Sequence, residues 1–153
     1  MKKRVIVVGL GNILLRDEGV GIRVIEELRK IKLPESVEIH EGGVLGLFIL
    51  NFFKNATKAI VVDAVKAGGR PGEVYCFDVK EIIENDRKTI VSLHDIDFVY
   101  ALKICKDVLD LPEKIIVVGI EPEKIEEGLT LSDSVKKAIP KAIDVILKLI
   151  NES

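Results

Sequence analysis

Cysteine is scarce in this sequence: Cys76 and Cys105 are the only two, they lie far apart, and no CxxC pair occurs. That excludes a zinc ribbon and a disulfide framework. No apolar stretch approaches the roughly 20 residues needed to span a bilayer. A basic surplus is also missing, since 23 Lys and Arg stand against 25 Asp and Glu for a net charge of −2. This argues against a nucleic-acid or anionic-membrane binder. Met1-Lys2-Lys3-Arg4 runs into a six-residue apolar segment, too short for a signal-peptide core and with no small-residue cleavage site after it. A cytoplasmic protein is the expectation. Glutamine and tryptophan are absent while Lys, Glu, Ile and Val are heavily used, a composition that suits a thermophile.

The chain that is present has 153 residues, 48% of them apolar and 31% charged. That reads as one globular domain, 1–153, long enough to bury a core without a staple. Five apolar runs read as strands: 4–9 (RVIVVG), 37–41 (VEIHE), 58–64 (KAIVVDA), 72–79 (GEVYCFDV) and 114–120 (KIIVVGI). The first, third and fifth are continuous β-branched runs, as expected of parallel strands covered on both faces. The fourth closely follows Gly68-Gly69-Arg70-Pro71-Gly72. So short a link suits a hairpin better than a helical crossover and predicts an antiparallel edge strand.

Helical periodicity fills the gaps. Val20, Val24, Leu28 and Ile31 line one face after Asp17, and 44–54 reads as a short buried helix. Ile96, Val99, Leu102, Cys105 and Leu109 form a further stripe, and Val135, Ile139, Ala142, Ile146 and Leu149 the last. Pro140 inside that last stripe predicts a kink or a two-part helix. Cys76 on its strand and Cys105 on its helix stripe read as core residues. Alternating strands and helices predict an α/β sandwich with a mostly parallel sheet.

Ligands of open parallel sheets bind beyond the carboxyl ends of the strands, where strand order reverses. The first strand is followed by Gly9-Leu10-Gly11-Asn12-Ile13-Leu14-Leu15-Arg16-Asp17-Glu18-Gly19. The second ends in His40-Glu41-Gly42-Gly43, Asp63 stands at the end of the third, and Glu121-Pro122 closes the fifth. His94 follows Ser92 at the start of the third helix. This end is acidic, with one or two imidazoles and no lysine cluster, which makes it a cation site on electrostatic grounds.

Gly9-x-Gly11 invites a dinucleotide fingerprint, but Leu14 stands where the third glycine should be. Asp17 and Glu18 also occupy the helix start that should attract a pyrophosphate. No GxxxxGKS or GxxxxGKT loop and no GxSxG elbow occurs. Glu18, Asp63 and His94 remain, two oxygen donors and one imidazole nitrogen from three loops. Such a mixed set can hold a first-row divalent metal with positions left open. Asp17 reads most simply as a helix N-cap. Gly11 and Asn12 read as turn chemistry, and Gly42-Gly43 as a tight turn that also lets a substrate backbone approach. The Lys- and Glu-rich stretch 121–127 reads as a solvated surface turn.

With these residues in place the sequence resembles the hydrogenase maturation endopeptidases. The likeness rests first on 9–23, GLGNILLRDEGVGIR, a long and specific amino-terminal signature. It continues through Glu41-Gly42-Gly43, Val62-Asp63-Ala64, Ser92-Leu93-His94, Gly119-Ile120-Glu121-Pro122 and Gly128-Leu129-Thr130, in order along essentially the whole chain. The resemblance implies a three-layer α/β/α sandwich with a twisted, mostly parallel five-stranded sheet and one antiparallel edge strand. It implies an endopeptidase that trims the carboxyl-terminal extension of a [NiFe]-hydrogenase large-subunit precursor, and a monomer. It implies that Glu18, Asp63 and His94 contact nickel carried by the precursor, the protease being metal-free at rest. The family usually has Asp-Gly-Gly-Thr after the second strand; here Glu41-Gly42-Gly43-Val44 stands there, with the charge on a longer arm and the hydroxyl lost.

The mechanism expected from this reading is water attack on a peptide carbonyl beside the anchored metal. The general base is a carboxylate, Asp17 or another not engaged with metal. Asp17, Glu18, Asp63 and His94 are thus the expected catalytic set, and Gly11, Asn12, Glu41, Gly42 and Gly43 the substrate loops. Two rivals stand beside it: a nickel-dependent maturation chaperone that holds the precursor without cutting, and a nucleotide-binding module.

Overall fold

β-Branched residues at consecutive positions form the centre of the fold. The computed structural model describes residues 3–44, 51–79, 91–92 and 111–152. In chain order these form β1 (Val5–Leu10), a 3-10 turn (Arg16–Gly19), α1 (Val20–Leu28), β2 (Val37–Gly43), β3 (Lys58–Lys66), β4 (Val74–Asp78), β5 (Val91–Ser92), β6 (Lys114–Ile120) and α2 (Asp133–Asn151). The main sheet runs β2-β1-β3-β6-β4, with the two-residue β5 paired to β3. β2, β1, β3 and β6 are mutually parallel and β4 is antiparallel to β6. This is the mostly parallel five-stranded sheet with an antiparallel edge that was expected, with the short β5 as an unanticipated addition.

Every residue of β1 is buried, and so are the first eight of β3. Alternation sends their side chains to two apolar layers. On one face Val5, Val7, Ile60, Val62 and Val118 pack with Val24, Ile25 and Leu28 of α1 and with Val135, Ala142 and Ile146 of α2. On the other, Ile6, Val8, Val61 and Val117 pack with Phe53. The helical stripe expected at 96–109, the start of the third helix at His94, and most of the helix expected at 44–54 lie outside the described residues.

Four local expectations change. β4 is not the second arm of a hairpin with β3, because β6 lies between them; its turn is instead held at the carboxyl end of β6, where the Gly72 amide donates to the Glu121 carbonyl at 2.8 Å and the Glu121 amide to the Glu73 carbonyl at 2.9 Å. α2 runs as one helix through Pro140. Pro140 and Lys136 are both exposed, so water reaches the Lys136 carbonyl that loses its intrahelical donor. Cys76 is exposed rather than core, since β4 is an edge strand of the main sheet and no described helix covers its outer part. Ile31 likewise lies beyond the end of α1 and is exposed.

At the opposite end of the sheet from the expected site, the last carbonyls of α2 are capped by cations. Buried Lys58 donates to the carbonyls of Leu149 at 2.6 Å and Glu152 at 3.0 Å, and Lys3 donates to that of Ile150 at 3.0 Å. Burial and the nearby charge of Lys114 hold the Lys58 pKa below the ordinary lysine value, against the pull of Glu152.

Candidate active site

From β1 the chain goes to β2 on one side and then returns to β3 on the other. Strand order therefore reverses between the carboxyl ends of β1 and β3, which is where open sheets bind ligands. Glycines bring the first loop down onto this point. A β-carbon on Gly21 would lie 2.3 Å from both the Leu10 and the Val62 carbonyl oxygens, and one on Gly9 would lie 2.5 Å from the Gly21 oxygen. Only bare glycine lets the start of α1 seat directly on β1 and β3. Gly11, at φ +135°, faces the Glu18 carbonyl, where a β-carbon would stand 2.1 Å from the oxygen. The space beside Gly11 that a pyrophosphate would need is thus filled by the 3-10 turn, which removes the physical basis of the dinucleotide reading.

Glu18 rides on that turn, and the turn packs against β3. Glu18 is 8% exposed and Asp63 is 0% exposed. Asp63 is the next residue of β3 after its last pairing with β1, Gly9 with Val62, and it lies in register with Gly119 of β6. Its Oδ1 accepts the Ala64 amide at 2.8 Å. The fold therefore carries these two carboxylates, 45 positions apart in sequence, to one end of neighbouring elements and buries both. Ser92 of β5 pairs with Val65, two residues beyond Asp63. His94 follows two positions later and lies outside the described residues. Among the described residues no group of three His, Cys, Asp or Glu side chains is placed to hold a metal ion; the donors described are oxygen ligands, which suit a divalent cation.

Asp17 has a different task from its neighbour. It does not cap its own helix, whose start has no side-chain cap. Its Oδ1 accepts the Ser132 amide at 2.7 Å, and its Oδ2 accepts the amides of Glu123 and Lys124 at 2.9 and 2.8 Å and the Ser132 hydroxyl at 2.8 Å. Ser132 is the N-cap residue of α2, so Asp17 ties the first loop to the start of the last helix. Burial alone would raise its pKa, but these hydrogen bonds outweigh it and hold the carboxyl below its ordinary value. A carboxylate so saturated is a poor general base, which argues against the catalytic role expected for Asp17.

The stretch 121–127, expected as a solvated surface turn, is exposed at 123, 124, 126 and 127, yet it is tied to the first loop, since the Glu123 and Lys124 amides donate to Asp17 and the Asp17 amide donates to the Lys124 carbonyl at 3.2 Å. Leu15 and Gly128 form a parallel bridge, in which the Gly128 amide donates to the Leu14 carbonyl at 2.9 Å and the Arg16 amide to the Gly128 carbonyl at 3.0 Å. Arg16 also donates to the Thr130 carbonyl at 3.0 Å and pairs with Glu126 at 2.9 Å. Glu121 is buried rather than solvated. Its buried Oε1 accepts the amides of Ala67 and Gly69 and the Tyr75 hydroxyl at 2.9, 3.0 and 2.8 Å, fixing the turn before β4. Burial and that hydrogen bond push the Tyr75 pKa up.

The remaining predicted loop residues gather around Gly11. The Gly11 amide donates to the Gly43 carbonyl at 2.9 Å, and β2 bulges here so that Leu10 pairs with Gly43 rather than Gly42. Gly43 has φ +58°, and nothing lies within 4 Å of where its β-carbon would be. Glu41 is exposed and Gly42 buried. The Asn12 side chain accepts the Leu14 amide at 2.9 Å in a local turn. His40 is stacked on Phe52 with centroids 4.4 Å apart. Sequence reasoning missed the pairing of Asp17 with Ser132; the only local sign was an N-capping serine before an apolar stripe.

A family model described as "Hydrogenase maturation protease" matches residues 22–149. The Hydrogenase 2 maturation protease of Escherichia coli is 32% identical over 152 residues, covering 98% of this chain and 92% of its own. The solved structure of the hydrogenase maturating endopeptidase HybD from E. coli superposes with a TM-score of 0.85 at 30% identity, over 96% of this chain and 91% of that one. The [NiFe] hydrogenase maturation protease HybD from Thermococcus kodakarensis gives a TM-score of 0.82 at 28% identity, over 97% and 99%.

Proposed function

This chain belongs to the hydrogenase maturation protease family, and from that premise we propose that it removes the carboxyl-terminal extension of a nickel-loaded [NiFe]-hydrogenase large-subunit precursor. The observation that carries the reading is the burial of Glu18 and Asp63 at the switch point between β1 and β3, beside the strand that leads toward His94. We assign Glu18, Asp63 and His94 to the nickel borne by the precursor, which anchors the substrate there. The scissile carbonyl then lies within reach of an activated water.

Asp17 is committed to the α2 start, so the base is another carboxylate. Glu41 is the one we put forward. It is exposed at the carboxyl end of β2, two strand spacings or about 10 Å from β3. Gly11, Asn12, Gly42 and Gly43 shape the backbone beside it. No described helix is long and apolar enough to cross a membrane, and we place the reaction in the cytoplasm with the protease as a monomer.

The test is incubation of the purified protein with the large-subunit precursor from the same organism, nickel-loaded and nickel-free in parallel, with products read by mass spectrometry. Release of a carboxyl-terminal fragment only from the loaded form supports the whole reading. Equal cutting of both forms keeps the protease and removes nickel recognition. Tight binding of loaded precursor without cutting replaces the protease by a chaperone.

A further inference from the structure

Four large apolar side chains are exposed among the described residues: Leu14 at 61%, Leu129 at 62%, Val44 at 60% and Ile31 at 38%. The three most exposed stand at the carboxyl end of the sheet, around the buried carboxylates. A single exposed leucine needs no explanation, but a group of them on one functional face does.

Their placement follows from backbone bonds. Leu14 and Leu129 flank the Leu15–Gly128 bridge, and the Gly128 amide donates directly to the Leu14 carbonyl at 2.9 Å. Each is further fixed by a bond to its own backbone: the Leu14 amide to the Asn12 side chain at 2.9 Å, and the Leu129 carbonyl from Arg23 at 3.1 Å. The Glu18 amide donates to the Leu15 carbonyl at 3.2 Å, so Leu14 leads directly into the turn that carries the carboxylate, and the Leu15–Gly128 bridge joins Leu129 to it. On the other side, Val44 follows Gly43, whose carbonyl holds Gly11, and Gly11 packs on the Glu18 carbonyl. Backbone contacts thus link Gly43 to Gly11, Gly11 to Glu18, and Glu18 through Leu15 to the segments of Leu14 and Leu129. None of these apolar side chains is needed to hold the backbone that positions it.

We propose that Leu14 and Leu129, with Val44 opposite, form the docking surface for an extended apolar segment of the precursor polypeptide next to the scissile bond. The occupant follows from continuity with the candidate site: an endopeptidase must hold a polypeptide across its reacting groups, and this exposed apolar surface borders Glu18. The open space at Gly43 gives the substrate backbone room to pass between Val44 and Leu14. Leu14 and Leu129 are thus specificity determinants rather than catalytic residues. The proposal rests on the protease reading above.

The test compares Leu14→Ser, Leu129→Ser and the double variant with Ile31→Ser, an exposed leucine-sized change away from this face. Precursor cleavage is measured as kcat and KM, and binding of the nickel-loaded precursor is measured separately by calorimetry. The expected result is a KM raised about tenfold in the double variant with kcat within about twofold of wild type, a matching loss of affinity, and no change for Ile31→Ser. Unchanged KM and affinity in the double variant overturn the docking surface. An equal change in Ile31→Ser overturns it too, since the effect would then follow from general loss of apolar surface. If wild type binds without cutting, the protease reading falls, while the affinities of the variants still decide whether this surface docks the polypeptide.

Discussion

Asp17 accepts both the amide and the hydroxyl of Ser132, at 2.7 and 2.8 Å, across 115 positions of sequence. Together with the amides of Glu123 and Lys124, this joins the turn that carries Glu18 to the start of α2. Replacing Asp17 by Asn leaves a single oxygen to serve four donors and sets an amide against them. The expected loss is about 2–4 kcal/mol of unfolding free energy, read from urea denaturation. Residual cleavage per folded molecule is expected to survive, because Asp17 positions the turn and does not move a proton. Loss of cleavage in fully folded Asp17→Asn, with KM unchanged, would return the base to Asp17.

The same contact predicts a pH dependence. The Asp17 carboxyl lies below its ordinary value of 3.8 in the folded protein, because its hydrogen bonds outweigh burial. The unfolded chain therefore takes up this proton first as pH falls, and folding opposes it. The contribution is complete above 3.8 and is lost as pH drops through the lower folded value. The stability gap between wild type and Asp17→Asn is expected to be constant in the neutral range and to shrink in acid below that point. A gap that stays constant down to pH values where the wild type unfolds would refute the assignment.

Gly21 and Gly43 separate two uses of glycine. Gly21→Ala drives a methyl into two backbone carbonyls of the sheet, so α1 must lift from β1 and β3. A loss of roughly 2–3 kcal/mol is expected. Gly43→Ala meets open space and bears only the left-handed backbone at φ +58°, a cost of about 1 kcal/mol. Thermal unfolding of the two variants side by side checks the order.

Glu18→Gln, Asp63→Asn and His94→Ala are each expected to lower cleavage of nickel-loaded precursor on the order of a hundredfold or more, while leaving the fold intact by circular dichroism. If Asp63→Asn and His94→Ala both cut at the wild-type rate, the metal-recognising set is wrong.

Lys58→Met is expected to destabilise by about 1–3 kcal/mol, because the carbonyls of Leu149 and Glu152 lose their buried donor. The site lies at the other end of the sheet, so KM and kcat measured on folded protein should not move.

The central strands were legible because their patterning is strong: β1, β3 and β6 are near-continuous Val and Ile runs, and the carboxyl end of such strands is a reliable place to look. Asp63 stands out there as a lone acid inside an apolar run, and Glu18 by its place after a glycine-rich turn. What could not be read is long-range pairing. The link after β3 looks the same whether β4 pairs with β3 or, as here, with β6. Asp17 beside a helix start looks like a local cap, and nothing nearby announces that its donors lie at 123, 124 and 132. Cys76 shares the apolar pattern of its strand, and only the edge position of β4 exposes it.

The turn bearing Glu18 is made from the first twenty residues, yet the amides and bridge that fix it come from 123–132. During synthesis, contacts of such separation form last. A nascent chain carrying both Glu18 and Asp63 still lacks the clamp until the start of α2 has left the ribosome. On the protease reading, completion of the candidate site is thereby deferred until nearly the whole molecule has been made.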